Sequence, residues 1–345
     1  MDKNKGIALA IVIVIVAAGA VYVLVDNTGN NNSGSISVTQ YDGKVVTFDS
    51  VPDRIVCLST YAAEIIILYG AEDRVVGISS SVATNAELAP YFADAVNVGS
   101  FSSPTTELII SADPQAVITY SSSNDAIIES LSGTSIKCVA AECSSMAKMT
   151  VEATAIGVLV GQSEMAKTYC DFFENIVDTV TDAVKGKTGP TVYMESFSTW
   201  SATGSSSAYS LVLDAVGGTN CFPGGGTVSA DSVTSMNPEY IIKTPTKVSM
   251  TNKGSGSTIA GAEIYYDEIM GQAGLASVDA IINDNVYIIC SQLVGGPRCF
   301  AGVVAMYNIF YGDLPSGTDV YDVLLDYNET FDVDFSYADM VYPLL

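Results

Sequence analysis

The sequence contains no histidine in its 345 residues. Histidine is the usual general base in nucleophilic catalysis and a frequent zinc ligand, so its absence excludes Ser-His-Asp and Cys-His catalysis and histidine-based metal sites. Most common hydrolase and zinc-enzyme mechanisms are excluded with them. Bare zinc or manganese is disfavoured as a ligand for the same reason, and we expect no metal site built from protein side chains.

Basic residues are scarce. The chain has 14 Lys and Arg against 38 Asp and Glu, which gives a formal net charge of −24. A surface this acidic repels phosphate backbones instead of attracting them. Nucleic acid is therefore excluded as a partner.

Cys-x-x-Cys motifs are also missing. None of the seven cysteines shows the Cys-x-x-Cys spacing of a zinc knuckle, an iron–sulfur site or a thioredoxin motif. Most of them stand in apolar runs such as IVCLS and YIICS, where a reduced cysteine behaves as a small buried hydrophobe. A disulfide such as Cys138 to Cys143 or Cys290 to Cys299 is the alternative.

The amino-terminal segment Ile7–Val25 (IALAIVIVIVAAGAVYVLV) has no charged or strongly polar residue. At about 1.5 Å per residue, it is long enough to cross a hydrocarbon core of about 30 Å. Because Lys3 and Lys5 precede it, we expect a single-pass anchor with a cytoplasmic amino terminus, a polar tether over Asp26–Ser35 and an extracytoplasmic globular part. The alternative is a cleaved signal peptide, since Ala18-Gly19-Ala20 fits a cleavage site.

After the tether, from Ile36 onward, the sequence alternates between strand-like and helix-like patterns. Ile36–Phe48 alternates apolar and polar residues around Asp42-Gly43, which predicts a β-hairpin. Two short apolar strands, Arg54–Ser59 and Arg74–Ser79, then flank a helical stretch over Tyr61–Tyr69. This order predicts a parallel sheet covered by helices.

A long amphipathic helix begins at Ser163 and precedes a second series of the same kind. Its apolar residues recur at spacings of three and four over roughly 23 residues. We therefore predict an α/β fold of two doubly wound lobes joined by one long helix. The predicted boundaries are anchor and tether 1–34, first lobe 35–145, connecting helix 146–187 and second lobe 188–345.

One internal repeat links the two predicted lobes. ELIISADPQAVIT (Glu107–Thr119) and DSVTSMNPEYIIK (Asp231–Lys243) both place an acid seven residues before a proline that leads into an apolar strand. In each segment we predict a short helix that begins at the acid and ends before the proline. Matching positions in two lobes suggest pseudo-twofold symmetry.

Motifs along the chain carry a family resemblance. The opening ISVTQYDGKVVTFDSVPDRIVCLSTYAAEIIILYGAEDRVVGIS is followed by VGSFSSPTTELIISADPQAVIT, AIGVLVGQSEMA, LDAVGGTNCF, MNPEYII, NDNVYII and GGPRCFAG. In this order, over about residues 36 to 325, they resemble the substrate-binding proteins of iron-complex (siderophore or haem) and cobalamin ABC importers. The anchor and the Ser/Gly-rich insertions around 204–207 and 248–258 depart from the family pattern.

The resemblance implies a function without chemistry. The protein would capture an iron complex or a corrinoid between its lobes, hold no covalent cofactor, and deliver the ligand to an ABC permease dimer with its ATPase. We expect a monomer and not an enzyme. The alternative is a surface-anchored ligand receptor or adhesion module without transport.

Candidate ligand-binding residues follow the predicted strands, because ligands of open α/β sheets bind beyond the carboxyl ends of the strands. Each is also of a residue type common in solvated turns. An aromatic residue at the position of Phe101 faces ring ligands in the family. The candidates are Tyr61, Ser80, Phe101, Tyr120, Glu195, Trp200 and Arg298.

Three charged residues have two interpretations each. Arg298, in GGPRCF, could grip a carboxylate or phosphate of the ligand, as the matching family position suggests, or fix its own loop through a neighbouring acid. Glu107 and Asp231 could favour helix amino termini, where carboxylates interact well with the dipole. In the family, the matching acids dock onto arginines of the two permease subunits, and both roles are compatible.

Overall fold

The computed structural model describes residues 11–16, 19–24, 34–337 and 340–343, the first two ranges as backbone. The chain divides into two compact units, each described by itself below. The first takes in the described residues up to Cys143 together with Lys148–Asp171. The second takes in Ser144–Ala147 and the described residues from Phe172 onward.

Two antiparallel hairpins open the described chain. The first pairs β1 (Ile11–Val16) with β2 (Gly19–Leu24), and the second pairs β3 (Ile36–Thr39) with β4 (Val45–Phe48). The second is the hairpin predicted at Asp42-Gly43, where Gly43 has the positive φ of 81° that glycine adopts without strain.

The predicted anchor, residues 7–25, coincides in part with β1 and β2, and its other residues lie outside the described ranges. Within those ranges, none of the helices has the length and apolar character needed to cross a membrane. The predicted tether, residues 26–35, is described only from residue 34.

The first unit contains a five-stranded parallel sheet in the order β7-β6-β5-β8-β9. Its strands are β5 (Ile55–Cys57), β6 (Val75–Ile78), β7 (Val96–Asn97), β8 (Ala116–Thr119) and β9 (Lys137–Ala140). The helices between them are α1 (Thr60–Leu68), α2 (Ser80–Ala83), α3 (Thr106–Ser111) and α4 (Asn124–Ser130). The strand order reverses between β5 and β8, as a doubly wound sheet requires.

The segment predicted as one connecting helix, residues 146–187, contains two helices. These are α5 (Met149–Val160) and α6 (Ser163–Ala183), and Gly161 ends α5 in the left-handed conformation with a φ of 73°. Helix α6 begins at the predicted Ser163. Its buried positions, which include Tyr169, Phe173 and Val180, follow the predicted spacing.

The second unit contains a seven-stranded mixed sheet in the order β13-β11-β10-β14-β15-β16, with β12 beside β10. Its strands are β10 (Thr191–Ser196), β11 (Ser201–Ala202), β12 (Thr219–Asn220), β13 (Gly226–Thr227), β14 (Tyr240–Thr244), β15 (Val286–Ile289) and β16 (Val341–Tyr342). Its later helices are α7 (Ala208–Ala215), α8 (Ala230–Met236), α9 (Lys247–Lys253), α10 (Thr258–Met270), α11 (Asp279–Ile282), α12 (Cys299–Tyr311) and α13 (Val320–Phe331). Among the parallel strands, the order reverses between β10 and β14.

The internal repeat recurs as one local structure. After each of the helices α3 and α8, the residue before the proline is left-handed, Asp113 with φ 50° and Asn237 with φ 44°. The chain then enters β8 or β14, the strand beyond the reversal point of its sheet. Glu107 and Asp231 are both the second residue of their helix, and both are exposed.

All seven cysteines are buried and free, so neither of the two candidate disulfides is formed. Burial raises the pKa of the Cys57 and Cys138 thiols to about 12, because a thiolate would lose its hydration there. Cys138 packs in the apolar cluster of the first unit beside Val56, Val117 and Ile127. The interpretation of the cysteines as small buried hydrophobes is confirmed.

Candidate ligand-binding site

In the first unit, polar groups surround the point where strand order reverses. Ser59 follows β5 and caps helix α1: its Oγ accepts a hydrogen bond from the Ala62 N–H at 3.3 Å and donates one to the Glu142 carbonyl at 2.8 Å. Tyr120 follows β8 and is hydrogen-bonded to the Ser59 and Thr60 side chains, while burial raises its pKa. Tyr61 is the half-buried second residue of α1.

An aromatic pair stands at the same end of this sheet. The rings of Phe101 and Tyr120 are 4.9 Å apart between centroids and tilted by 55°. Phe101 is still 39% exposed, so one side of the pair is open to solvent. Beside it, the Ser80 hydroxyl donates to the Asn97 side chain at 3.0 Å. The structure thus brings Phe101 and Tyr120 together, with hydroxyl and amide groups and the Glu142 carboxylate around Tyr120.

A carboxyl group buried in the first unit holds the segment after β9. Glu152, in α5, is fully buried, and its Oε2 accepts a hydrogen bond from the Cys143 N–H at 2.6 Å. Burial raises the pKa of Glu152 from 4.5 to about 7, which the backbone hydrogen bond from Cys143 opposes. The adjacent Glu142 carboxylate accepts from the Ser121 N–H and lies 3.6 Å from Lys148 Nζ.

In the second unit, a buried ion pair occupies the point where strand order reverses. Glu195 on β10 and Lys243 on β14 are register partners, and Lys243 Nζ lies 2.5 Å from Glu195 Oε2. The two residues are 2% and 1% exposed, respectively. The Tyr193 hydroxyl donates to Glu195 Oε1 at 3.0 Å, and burial raises the Tyr193 pKa. The Glu195 carboxylate, predicted to contact a ligand, is thus bonded to Lys243 and Tyr193 of its own unit.

The same carboxylate holds the backbone of the predicted ligand residue Trp200. The Trp200 N–H donates to Glu195 Oε1 at 2.6 Å. Trp200 has a φ of 61°, a left-handed conformation that costs a non-glycine residue free energy unless contacts of this kind hold it. The turn between β10 and β11 also exposes 60% of Phe197. Trp200 itself is half-buried.

Arg298 lies at the start of α12 and is only 1% exposed. Its guanidinium carbon is 4.4 Å from the centroid of the Phe335 ring and 5.5 Å from that of Tyr337. The two rings are held in turn by Asn328 of α13, whose Oδ1 accepts from the Tyr337 hydroxyl at 2.8 Å and whose Nδ2 donates to the Phe335 carbonyl at 3.0 Å. This packing is typical of a residue that fixes its own loop.

No group of cysteine and acidic side chains in the described ranges has the arrangement needed to hold a metal ion. At the strand-order reversal of the first unit the polar side chains include the hydroxyls of Ser59 and Tyr120, and at that of the second unit they are the Glu195–Lys243 ion pair. In the first unit, the exposed Phe101 ring beside such hydroxyls can contact a molecule by stacking and hydrogen bonding.

Comparison with known proteins shows which protein family the chain belongs to. The family model described as periplasmic binding protein matches residues 55–293, more than half of the sequence. The chain belongs to this family. Its members bind solutes and do not convert them, so the expectations of a substrate-binding protein and of no enzymatic activity are confirmed. A search of curated proteins gave no significant match.

Solved structures share the two-lobed α/β fold of this periplasmic binding protein. The TroA-like periplasmic binding protein FepB from Veillonella parvula has a TM-score of 0.73 and 18% identity, over 87% of this chain and 97% of that one. Helicobacter pylori CeuE with Ni(II) bound has a TM-score of 0.67 and 18% identity, over 87% of this chain and 97% of that one. A possible iron-binding periplasmic protein from Staphylococcus epidermidis has a TM-score of 0.60 and 20% identity, over 75% of this chain and 99% of that one.

Two features of this periplasmic binding protein were not predicted from its sequence: the burial of Lys243 and Glu152, and the packing of Arg298 against aromatic rings. The first has a sequence signal, because a charged residue within an apolar segment such as YIIKT or MTVEATAIGVLV indicates a buried partner. The packing of Arg298 against Phe335 and Tyr337 has no such signal in the sequence. It joins positions distant in sequence through side-chain packing.

Proposed function

We propose that this protein is a membrane-tethered, extracytoplasmic binding protein that captures an iron complex, either a siderophore or haem, or a corrinoid. It then delivers that ligand to an ABC permease dimer with its ATPase. The family supports capture of a solute. Two related structures, a possible iron-binding protein and CeuE with bound Ni(II), support a metal-bearing ligand.

The observation that carries the proposal is the set of groups at the strand-order reversals. Ligands of open α/β sheets bind there, beyond the carboxyl ends of the strands. We assign ligand contact to Tyr61, Ser80, Phe101 and Tyr120 in the first unit and to Trp200 in the second. Phe101 offers an exposed ring for a flat or bulky ligand. Glu195 positions Trp200, and Arg298 fixes its loop.

Delivery is assigned to Glu107 and Asp231. Both are exposed at the second position of a short helix, and both belong to the same repeated structure, one in each unit. Two equivalent acids suit two-point docking on a permease built from two similar subunits. Arginines of the permease would lose water at this interface, so an acid removed there leaves a buried, unpaired charge.

Charge reversal of both acids tests the delivery step. We expect Glu107→Lys with Asp231→Lys to abolish uptake in vesicles that contain the permease and ATPase, while ligand affinity in solution changes by less than about twofold. Ser132→Lys with Ser277→Lys is the matched control, since both serines are exposed and lie outside the two helices. Normal transport by the reversed protein, or loss of ligand binding before transport, contradicts the assignment.

The apolar segment Ile7–Val25 is proposed as the membrane tether. Insertion into hydrocarbon does not depend on charge, so the protein should stay with membranes after washing with high salt. The measurement is the distribution of the full-length protein between washed membranes and supernatant. A soluble mature form that begins near Val21 would show instead a cleaved signal peptide.

A further inference from the structure

We infer that the ligand carries no net negative charge, so that among iron complexes and corrinoids the protein takes neutral or cationic ones. The inference rests on the proposed function and concerns the same site. It comes from the positions of the cationic side chains. An anionic ligand in a binding protein needs cations to compensate its charge as it loses water.

In the second unit, the cations near the carboxyl ends of β14 and β15 are engaged by the protein itself. Lys243 is buried in its ion pair with Glu195, and its Nζ also donates to the Ser196 carbonyl at 3.2 Å. Lys247 Nζ donates to the Ser336 carbonyl at 2.9 Å. Lys253 pairs with Glu268 at 2.7 Å and lies 4.5 Å from the centroid of the Tyr265 ring.

Arg298 is engaged in a different way, by a cover of aromatic side chains. The segment that supplies Phe335 and Tyr337 precedes β16, which pairs antiparallel with β15 and so lies beyond the carboxyl end of that strand. The same segment exposes the carboxylates of Asp332 and Asp334. The acidic groups here face solvent while the guanidinium does not, which makes this edge of the second sheet repel anions.

Among the described residues of the first unit, Lys148 is the cation near the carboxyl end of the sheet. It pairs with Glu142 at 3.6 Å and lies 5.3 Å from the centroid of the Tyr41 ring. Arg54, Arg74 and Lys137 stand instead where β5, β6 and β9 begin. On either side of Phe101 in the chain, the Ser100 and Ser102 hydroxyls are hydrogen-bonded to each other at 3.2 Å, and Ser80 is bonded to Asn97 at 3.0 Å. Hydroxyl and amide groups of this kind suit neutral oxygen and nitrogen atoms.

The other described cations lie away from the strand-order reversals. Lys44 pairs with Asp42 in a hairpin turn, Lys167 and Lys185 pair with acids on α6, and Lys187 lies over the Tyr307 and Tyr311 rings. The net charge of −24 adds a long-range repulsion of anions to these local arrangements.

The test uses three ferric trihydroxamates that share one linear chelating chain and differ at its end: a free amine, an acetylated amine and a succinylated amine. They are cationic, neutral and anionic with the same iron environment. Binding to the full-length protein is read from the fluorescence of Trp200, the only tryptophan. We expect the amine and acetyl forms to bind about tenfold or more tightly than the succinyl form.

Two controls separate local from overall charge. The series is repeated at about 0.1 M and about 1 M salt, where the Debye length falls from about 10 Å to about 3 Å, and the order should persist at high salt. Ser122→Lys, in the exposed turn after Tyr120, should strengthen binding of the succinyl form about threefold. Ser132→Lys adds the same charge before β9 and should not.

The outcomes distinguish this inference from the proposed function. If the succinyl form binds as tightly as the acetyl form, or if haemin with its carboxylates binds best, the inference is wrong and the proposed function stands. If cyanocobalamin alone binds, the same comparison is made with a derivative in which one amide is hydrolysed to a carboxylate. If none of these complexes binds, the proposed function fails and the inference fails with it.

Discussion

The two units differ most at equivalent places, the points where their strand order reverses. In the first unit, β5 and β8 meet through apolar residues, and the polar groups there are hydroxyls such as Ser59 and Tyr120. In the second unit, β10 and β14 meet through a buried ion pair, Glu195 with Lys243. One architecture therefore presents one edge ordered mainly by hydroxyls and one edge ordered by a buried ion pair.

The two units use different interactions to position their candidate ligand residues, Tyr120 in the first and Trp200 in the second. In the first unit, hydroxyls that cap α1 and bond to Tyr120 order the edge at the strand-order reversal, and β5 and β8 carry no ion pair between them. The second edge places Trp200 in a left-handed conformation, and a carboxylate that accepts its N–H compensates part of that cost. Such a carboxylate needs a cation once it is buried, which Lys243 supplies.

Lys243→Met should have the largest effect on stability. It leaves Glu195 buried without its cation, so we expect the second unit to lose about 3 to 5 kcal/mol of unfolding free energy. The measurement is urea unfolding of the full-length protein. The double variant with Glu195→Gln should recover most of the loss, because the amide oxygen still accepts from Trp200.

Lys148→Met is the matched control in the first unit. Its pair with Glu142 is partly exposed, so the expected loss is at most about 1 kcal/mol. Equal losses for the two lysine variants would contradict the distinction between a buried pair and a screened pair.

Glu152 makes the first unit sensitive to pH. Its pKa is raised from 4.5 to about 7, so the folded state binds the proton more tightly than the unfolded chain does. The stability from this group is present below pH 4.5 and is lost as the pH rises to about 7. Glu152→Gln should remove about 3 kcal/mol of this pH dependence.

Urea unfolding of the wild type and of Glu152→Gln, compared between pH 4.5 and pH 8, measures the effect. The Gln variant is the appropriate one because its amide oxygen can still accept from the Cys143 N–H. Parallel pH profiles for the two proteins would show that Glu152 is not protonated on folding.

Arg298→Met should have a smaller effect. Loss of the guanidinium from between its loop and the Phe335 and Tyr337 rings should cost about 1 to 2 kcal/mol of stability in the protein without ligand. Affinity for a neutral ferric trihydroxamate should change by less than about twofold. An unchanged melting temperature together with weakened binding would support the ligand-gripping interpretation of Arg298 instead.

Local signals in the sequence predicted much of the fold. The hairpin at Asp42-Gly43, the start of α6 at Ser163 and the two helix–proline–strand repeats depend on turn chemistry and periodicity within short segments. The left-handed Gly161 divides the segment predicted as one helix, because a single glycine in an apolar run gives only a weak stop signal. Antiparallel additions to the second sheet, such as β16, depend on distant pairing.

The candidate site was less predictable for the same reason. Position after a strand selected Phe101 and Tyr120 as candidates, and the structure shows that their rings contact each other. It could not tell whether a side chain at a strand end turns outward or inward. Glu195 turns toward Lys243, and Arg298 toward Phe335, through packing between residues far apart in sequence.

Calorimetric titration of the full-length protein with a neutral ferric trihydroxamate, haemin and cyanocobalamin measures directly whether the protein captures a metal complex. We expect saturable binding of at least one of them at one site per chain, with a Kd below about 10 µM. Phe101→Ala should weaken that binding about fivefold or more and leave the melting temperature nearly unchanged, since the ring is 39% exposed. If none of the three shows saturable binding, the protein does not capture a ligand of the proposed class.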